Sequence, residues 1–238
     1  MATIAPSLPS AEQRERVFFL VMALAIAAAI VGGFGIRLIL GVTTFAGEPW
    51  WVHVHAVSQM GWLGFFALQN ALVLRGDVAL HRRLGLLGAI FAVWLVIAAL
   101  TVSYLSVSTG TDDGLFTPAY LVALNWSTLG TFAALFLAAL ILRRRSDWHK
   151  RLMLCAMAAM SLPSFGRILL MLDLSTTTNR TLFVLSFVAA GMAFDLHNRG
   201  KVHPAYFWGA GAVATMGLLI GGLPMLSPFV AFADGIAG

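Results

Sequence analysis

The chain is 238 residues long, 60% hydrophobic and only 11% charged, with a mean hydropathy of +0.88. A soluble globular domain carries about 25% charged residues, so the composition excludes an ordinary soluble domain and points to a membrane protein with almost nothing outside the bilayer. Its net charge of +5 is carried by bases gathered between apolar stretches, which reads as topology and attraction to anionic membrane lipid, with no nucleic-acid footprint.

Seven apolar stretches follow one another at about 17–40, 51–74, 84–106, 119–142, 152–172, 181–196 and 205–226. Most are near the ~20 residues that cross ~30 Å of hydrocarbon. They are continuously apolar, unlike the alternating ~10-residue strands of a barrel. The expected fold is therefore all-α: a polytopic membrane helix bundle of about seven transmembrane helices. It comprises a cytoplasmic tail over 1–16, one seven-helix domain over 17–226 and a short outer tail over 227–238.

The first stretch follows Arg14 and Arg16 but is too long for a signal-peptide core and lacks a clear cleavage site, so it reads as a retained helix. Gly32, Gly33 and Gly35 within it permit close helix packing, as do Gly209, Gly211, Gly217, Gly221 and Gly222 in the last stretch. On the second stretch His55, Gln59, Trp62, Phe66 and Gln69 recur at helical spacing on one face, polar as well as aromatic, which should point into the bundle. His53 lies on the other side, about 200° round, so the two histidines cannot chelate one metal. His53 belongs with Trp50 and Trp51 at the interface.

The third stretch carries Thr101 and the fourth Asn125. The fifth contains Ser161-Leu162-Pro163-Ser164-Phe165-Gly166-Arg167, where proline and glycine predict a kink beside a buried cation. By helical rise Arg167 sits roughly 8 Å below the outer surface, at about the level of His55, Asn125 and Thr101. The sixth stretch ends near Asp195, which pairs with Arg151, Arg199 or His203, or else joins a proton path from His55 through Gln69. Asp112-Asp113, between the third and fourth stretches, reads as a solvated outer turn, and Cys155, the single cysteine, as a small packing residue that rules out an intramolecular disulfide.

Twelve of the fifteen basic residues fall in the N-terminal tail or in the loops after the second, fourth and sixth stretches. Lysine and arginine stay on the cytoplasmic side of short loops, so the N-terminus is expected inside and the C-terminus outside. Twelve bases against five acids give +7 inside, and three against five give −2 outside. Helices 2–3, 4–5 and 6–7 then form three similar hairpins closed by basic loops, with helix 1 left over. A repeat supports this: Ala71–Leu86 and Ala139–Leu154 align without a gap at an offset of 68, with 8 of 16 positions identical, including Arg75/Arg143, His81/His149 and Arg83/Arg151. A shorter echo at Arg199-Gly200-Lys201-Val202-His203 marks the third loop. The repeat is parallel, unlike the inverted repeats of many transporters.

His81, Arg82 and Arg83, with His149, Lys150 and Arg151, sit at the starts of inward-running helices and suit lipid headgroups or another anion. Alternatively His81, His149 and His203 converge on a metal or haem. The flanking cations disfavour a divalent ion, whereas anionic haem propionates would suit them. Nucleotide-binding, zinc-protease, CxxC and nucleophile-elbow motifs are absent. No lysine is expected within a helix, which excludes a retinal Schiff base.

The run HVHAVSQMGWLGFFALQNALVL, then ALHRRLG, DWHKRLM, Arg167 and RGKVHPAYFWG, resembles a group of uncharacterised bacterial seven-helix inner-membrane proteins, over about residues 51–210. Over His55–Gly85 the chain also resembles cytochrome b561-type proteins, with His81-Arg82-Arg83-Leu84-Gly85 in place of their His-x-x-Leu-Gly. That resemblance implies haem b and transmembrane electron transfer, but two haems need four histidines in two layers, and the outer layer offers only His55. Three readings follow. The first is a protein that binds or conducts a small anionic or carbonyl-bearing ligand through Arg167, His55, Gln59, Asn125, Trp62 and Gln69. The second is a redox protein with one cytoplasmic-side haem b. The third is an accessory subunit docking lipid or a membrane-protein partner.

Overall fold

The computed structural model describes residues 10–42, 44–110 and 116–238. Among them the chain forms helices and no strands: α1 (Ala11–Ile39), α2 (Trp50–Arg75), α3 (Val78–Ser108), α4 (Pro118–Ile141), α5 (Ser146–Met160), α6 (Leu162–Met171), α7 (Thr177–Arg199), α8 (Pro204–Gly222) and α9 (Ser227–Ala237). Six of these are long and apolar enough to cross a membrane, and α5 with α6 makes a seventh if the bent pair counts as one span. The outer Asp112-Asp113 turn lies outside the described residues.

Local sequence sets the helix ends. Ser10, Asp77, Thr117, Thr176 and His203 cap α1, α3, α4, α7 and α8 with side-chain acceptors for first-turn amides. Gly76 and Gly200 end α2 and α7 in the left-handed conformation that favours glycine. The expected kink is present: α5 and α6 meet at Ser161 and bend by 41°. Pro163 has no amide to give the carbonyl one turn back, and the Ser161 hydroxyl bonds the Ala158 carbonyl at 2.6 Å. The segment after 226 is more than a tail, because α9 packs on α3 and α4 through Val107, Ala119, Val122 and Ala233.

In lipid the hydrophobic effect does not hold helices to one another, so close packing must. Trp62 is the centre of an aromatic core, its ring 5.6 Å from Phe91 and Phe136, 5.9 Å from Phe65 and 6.0 Å from Phe132. Of the first glycine group only Gly33 makes a close approach: a Cβ there would lie within 3 Å of the Ser164 backbone, while Gly32 and Gly35 face open space. Gly209 faces Cys155 and Gly217 faces Thr181 in the same way, while Gly211 and Gly222 are open.

Two helices carry charge on their buried stripes. On α1 the inward residues run Glu15, Phe19, Met22, Ile26, Ile30, Gly33 and Arg37; on α7 they run Arg180, Val184, Val188, Gly191 and Asp195. Each stripe thus has an ionised group at both ends of an apolar middle. The helix turns rich in arginine lie at one end of the bundle, called here the basic end; Arg37, Arg167 and Arg180 lie at the opposite end.

Candidate functional site

The basic end holds a compact charge network. Arg151, wholly buried, donates to the two Asp195 carboxylate oxygens at 2.8 and 2.5 Å and to Glu15 at 3.0 Å. Glu15 also receives Lys150 and Arg199, each at 2.8 Å, and Asp147 receives Lys150 at 3.0 Å and Arg199 at 3.1 Å. Three acids and three bases therefore join α1, α5 and α7. Asp195 has the ion-pair partner that the first alternative for it required, so its carboxylate is occupied and the proton path through Gln69 loses its end point. Lys150 is the fifth residue of α5, contrary to the expectation that no helix holds a lysine, because the helix starts at Ser146, before the apolar stretch.

The loop set divides. Arg82 and Arg83 are exposed, whereas Arg151 is inside and Lys150 is tied to acids. His81 and His149, equivalent positions of the repeat, pack against each other with ring centroids 6.4 Å apart. His149 Nδ1 lies 2.9 Å from the Ala139 carbonyl. His81 faces the Gln69 backbone carbonyl, and its Nδ1 has no hydrogen-bond partner.

His203 stands apart from this pair. Its ring packs edge-on to Trp148 at 5.2 Å, its Nδ1 accepts from the Ala205 amide, and its own amide donates to Asp195. Burial pushes the His203 imidazole below its ordinary range; the Arg151 charge adds to this, while Asp147 and Asp195 oppose it.

At the opposite end the inward face of α2 is oriented as its spacing predicts: Trp62 and Gln69 are buried, His55, Gln59 and Phe66 half-buried, and His53 exposed. Arg167 donates to the Pro163 carbonyl at 3.1 Å and stacks on Phe34 of α1 at 4.1 Å, and its charge reaches the His55 imidazole. His55 Nδ1 is buried without a hydrogen-bond partner. The rest of the expected layer is not assembled. Asn125 is half-buried and makes no hydrogen bond with a described residue. Thr101 is exposed and bonds its own helix at Ile97, beside an open groove lined by Leu100, Tyr104 and Trp126. Trp62 is committed to the core, its Nε1 against Met157 Sδ at 3.1 Å. The Gln69 amide is buried without a partner toward the basic end, far along α2 from His55.

Besides Arg37, which lies within the first apolar stretch and is itself buried, two charged residues escaped the sequence reading. Glu15 falls in the expected tail and Arg180 in an expected outer connection, yet they are 5% and 2% exposed. The signals were local: Ser10 caps Gln13 and Thr176 caps Asn179, so each helix starts before its charged residue, which then lies on the apolar stripe. Arg180 donates from Nε and Nη2 to Ser175 Oγ at 3.0 and 2.5 Å and from Nη1 to Tyr120 Oη at 2.7 Å. Phe116 and Tyr120 flank its guanidinium at 5.2 and 5.6 Å. A Cβ on Gly166 would lie 3.1 Å from Arg180 Nε, so the glycine makes room for it one residue from Arg167. No known protein family, curated protein or solved structure matches the chain.

Proposed function

We propose that this chain is a multi-pass inner-membrane protein of the bacterial type, N-terminus in the cytoplasm, that binds a small anionic or carbonyl-bearing ligand in the outer half of its bundle. One observation carries this reading. The Arg167 cation and the half-buried His55, whose buried Nδ1 has no hydrogen-bond partner, lie at the same end of the bundle, the end that the expected topology puts outside. Intramembrane cations are costly and mark ligand or ion routes, and both groups can hydrogen-bond a carboxylate or carbonyl oxygen. The test is thermal unfolding of purified protein against a panel of small carboxylic acids and ketones. Native protein should be stabilised by at least one of them, and Arg167→Ala should abolish that response; an unchanged response in the variant removes Arg167 from the site.

A second reading rests on the His81–His149 pair. Two neighbouring imidazoles at the basic end, packed edge-on with centroids 6.4 Å apart and one with Nδ1 held by a carbonyl so that Nε2 is available, fit the demand of a haem b for two axial histidines. A bound haem would supply one-electron transfer; the chain's own contribution is to fix the two rings and to place Arg82 and Arg83 nearby at the surface. A Soret band in protein from haem-replete cells, lost in His149→Ala, supports it. A colourless preparation removes it.

A further inference from the structure

Arg180 has more hydrogen-bonding capacity than its surroundings use. A guanidinium has five N–H donors, and three are taken: Nε and one on Nη2 by Ser175, one on Nη1 by Tyr120. One N–H on each terminal nitrogen is left, on a side chain only 2% exposed. The partners it has are neutral. The Ser175 hydroxyl spends its proton on the Gly166 carbonyl at 3.0 Å and so presents only lone pairs to the arginine, and Tyr120 shares its oxygen with Thr177 at 3.2 Å. Among the described residues no carboxylate lies within ion-pair distance of Arg180. Arg151, at the other end of the bundle, shows the contrast: an equally buried arginine there is matched by Asp195 and Glu15.

A buried charge without a counter-charge is expensive, and hydroxyls and aromatic faces offset only part of the cost. The arrangement is suited to hold a guanidinium still while leaving its terminal nitrogens for a planar, two-oxygen partner, which is how arginine binds carboxylate and phosphate.

We propose that Arg180, braced by Ser175 and Tyr120 over Gly166, is the oxyanion-holding residue of the outer-half site, accepting a carboxylate or phosphate group on its two free terminal N–H donors. This rests on the outer-half ligand reading and names the chemical class of the ligand. The oxyanion belongs either to a small free acid or to a phospholipid headgroup, since Arg180 begins only three residues into α7.

The experiment uses full-length protein in a sugar-headgroup detergent free of phosphate, following thermal unfolding against sodium acetate, inorganic phosphate and phosphatidylglycerol, with sodium chloride at matched ionic strength as control. Stabilisation by acetate or phosphate, absent with chloride, identifies a free acid; stabilisation by phosphatidylglycerol alone identifies a headgroup. In either case Arg180→Lys, which keeps the charge and loses the fork, should raise the half-maximal concentration about tenfold or more. Gly166→Ala, whose Cβ would come within 3.1 Å of Arg180 Nε and shift the guanidinium by a few tenths of an ångström, should weaken binding in the same direction and serves if Arg180→Lys does not fold. If a stabilising oxyanion binds these variants as it binds the native protein while Arg167→Ala loses it, the ligand is held elsewhere in the outer half and the assignment to Arg180 is overturned alone. If no oxyanion stabilises native protein beyond chloride, this assignment falls, and a neutral ketone that still stabilises would keep the broader reading.

Discussion

Asp195 and Arg151 are the pair whose loss should cost most. Both are wholly buried, and Asp195 takes two of the arginine's N–H groups. Asp195→Asn leaves Arg151 inside with only Glu15 and the more exposed Asp147, and breaking a buried pair costs about 3–5 kcal/mol. Unfolding in detergent should therefore show Asp195→Asn strongly destabilised. Replacing both partners by apolar residues of similar volume, Arg151→Met with Asp195→Leu, should recover much of the loss; a double variant as unstable as the single one would mean that the ionic contacts themselves are required. His203 gives a pH signature at the same end. Its folded-state affinity for a proton is depressed below the ordinary value of 6.5, so the unfolded chain binds the proton better. Stability from this group is full above pH 6.5 and falls as pH drops below it, until the folded imidazole itself protonates. His203→Asn keeps a helix-capping acceptor for the Ala205 amide and has no proton to gain. The variant should lose stability less steeply than the native protein between about pH 7 and 5. Parallel slopes would show that His203 is not the group responsible.

The bent pair α5–α6 is the element that gives the opposite end its shape. Its second half is anchored to α1: Ser164 Oγ donates to the Ala29 carbonyl at 2.7 Å and lies 3.0 Å from that of Ile30. Gly33 is what lets these helices approach, so Gly33→Ala must drive α1 off the Ser164 backbone and should destabilise by about 1–3 kcal/mol. Gly32→Ala and Gly35→Ala meet nothing and should be neutral or slightly stabilising, since alanine is the better helix former. Equal losses at all three positions would show that helix flexibility, and not this contact, is what glycine provides. The element scale also shows what the sequence could reveal. The bend was legible because proline removes an amide wherever it stands, and the inward face of α2 was legible because its polar residues keep a helical period. The selectivity among glycines was not: it depends on which neighbour Ser164 happens to be, a contact 131 positions away in the chain. Glu15 and Arg180 were hidden by a different cause. An apolar window cuts a span where charge begins, whereas the cap residues Ser10 and Thr176 start each helix earlier and carry the charge inward.

At the scale of the whole molecule, the charge pattern gives every residue an address. The ion-pair network at the basic end, with Glu15, Arg151 and Asp195 at its buried centre, is balanced, three acids against three bases, while the exposed arginines of the α2–α3 and α4–α5 turns are surplus. It is this surplus that should fix the orientation during insertion, because neutralised groups exert little net pull and exposed bases resist crossing. The native chain is suited to a direct test, since its single cysteine is wholly buried and should not react with a membrane-impermeant thiol reagent. Arg145→Cys places a thiol on an exposed turn at the basic end, and Glu48→Cys places one on an exposed loop at the other. In intact cells Glu48→Cys should be labelled and Arg145→Cys should label only after permeabilisation. The reverse pattern would put the Arg167–His55 and Arg180 groups on the cytoplasmic side, so that the ligand would have to enter from inside. Removing surplus charge by changing Arg82, Arg83, Arg144 and Arg145 together to glutamine should yield a mixed orientation. Removing a balanced base such as Arg199 should leave the orientation intact and lower stability instead, because topology depends on uncompensated charge and the fold on compensated charge.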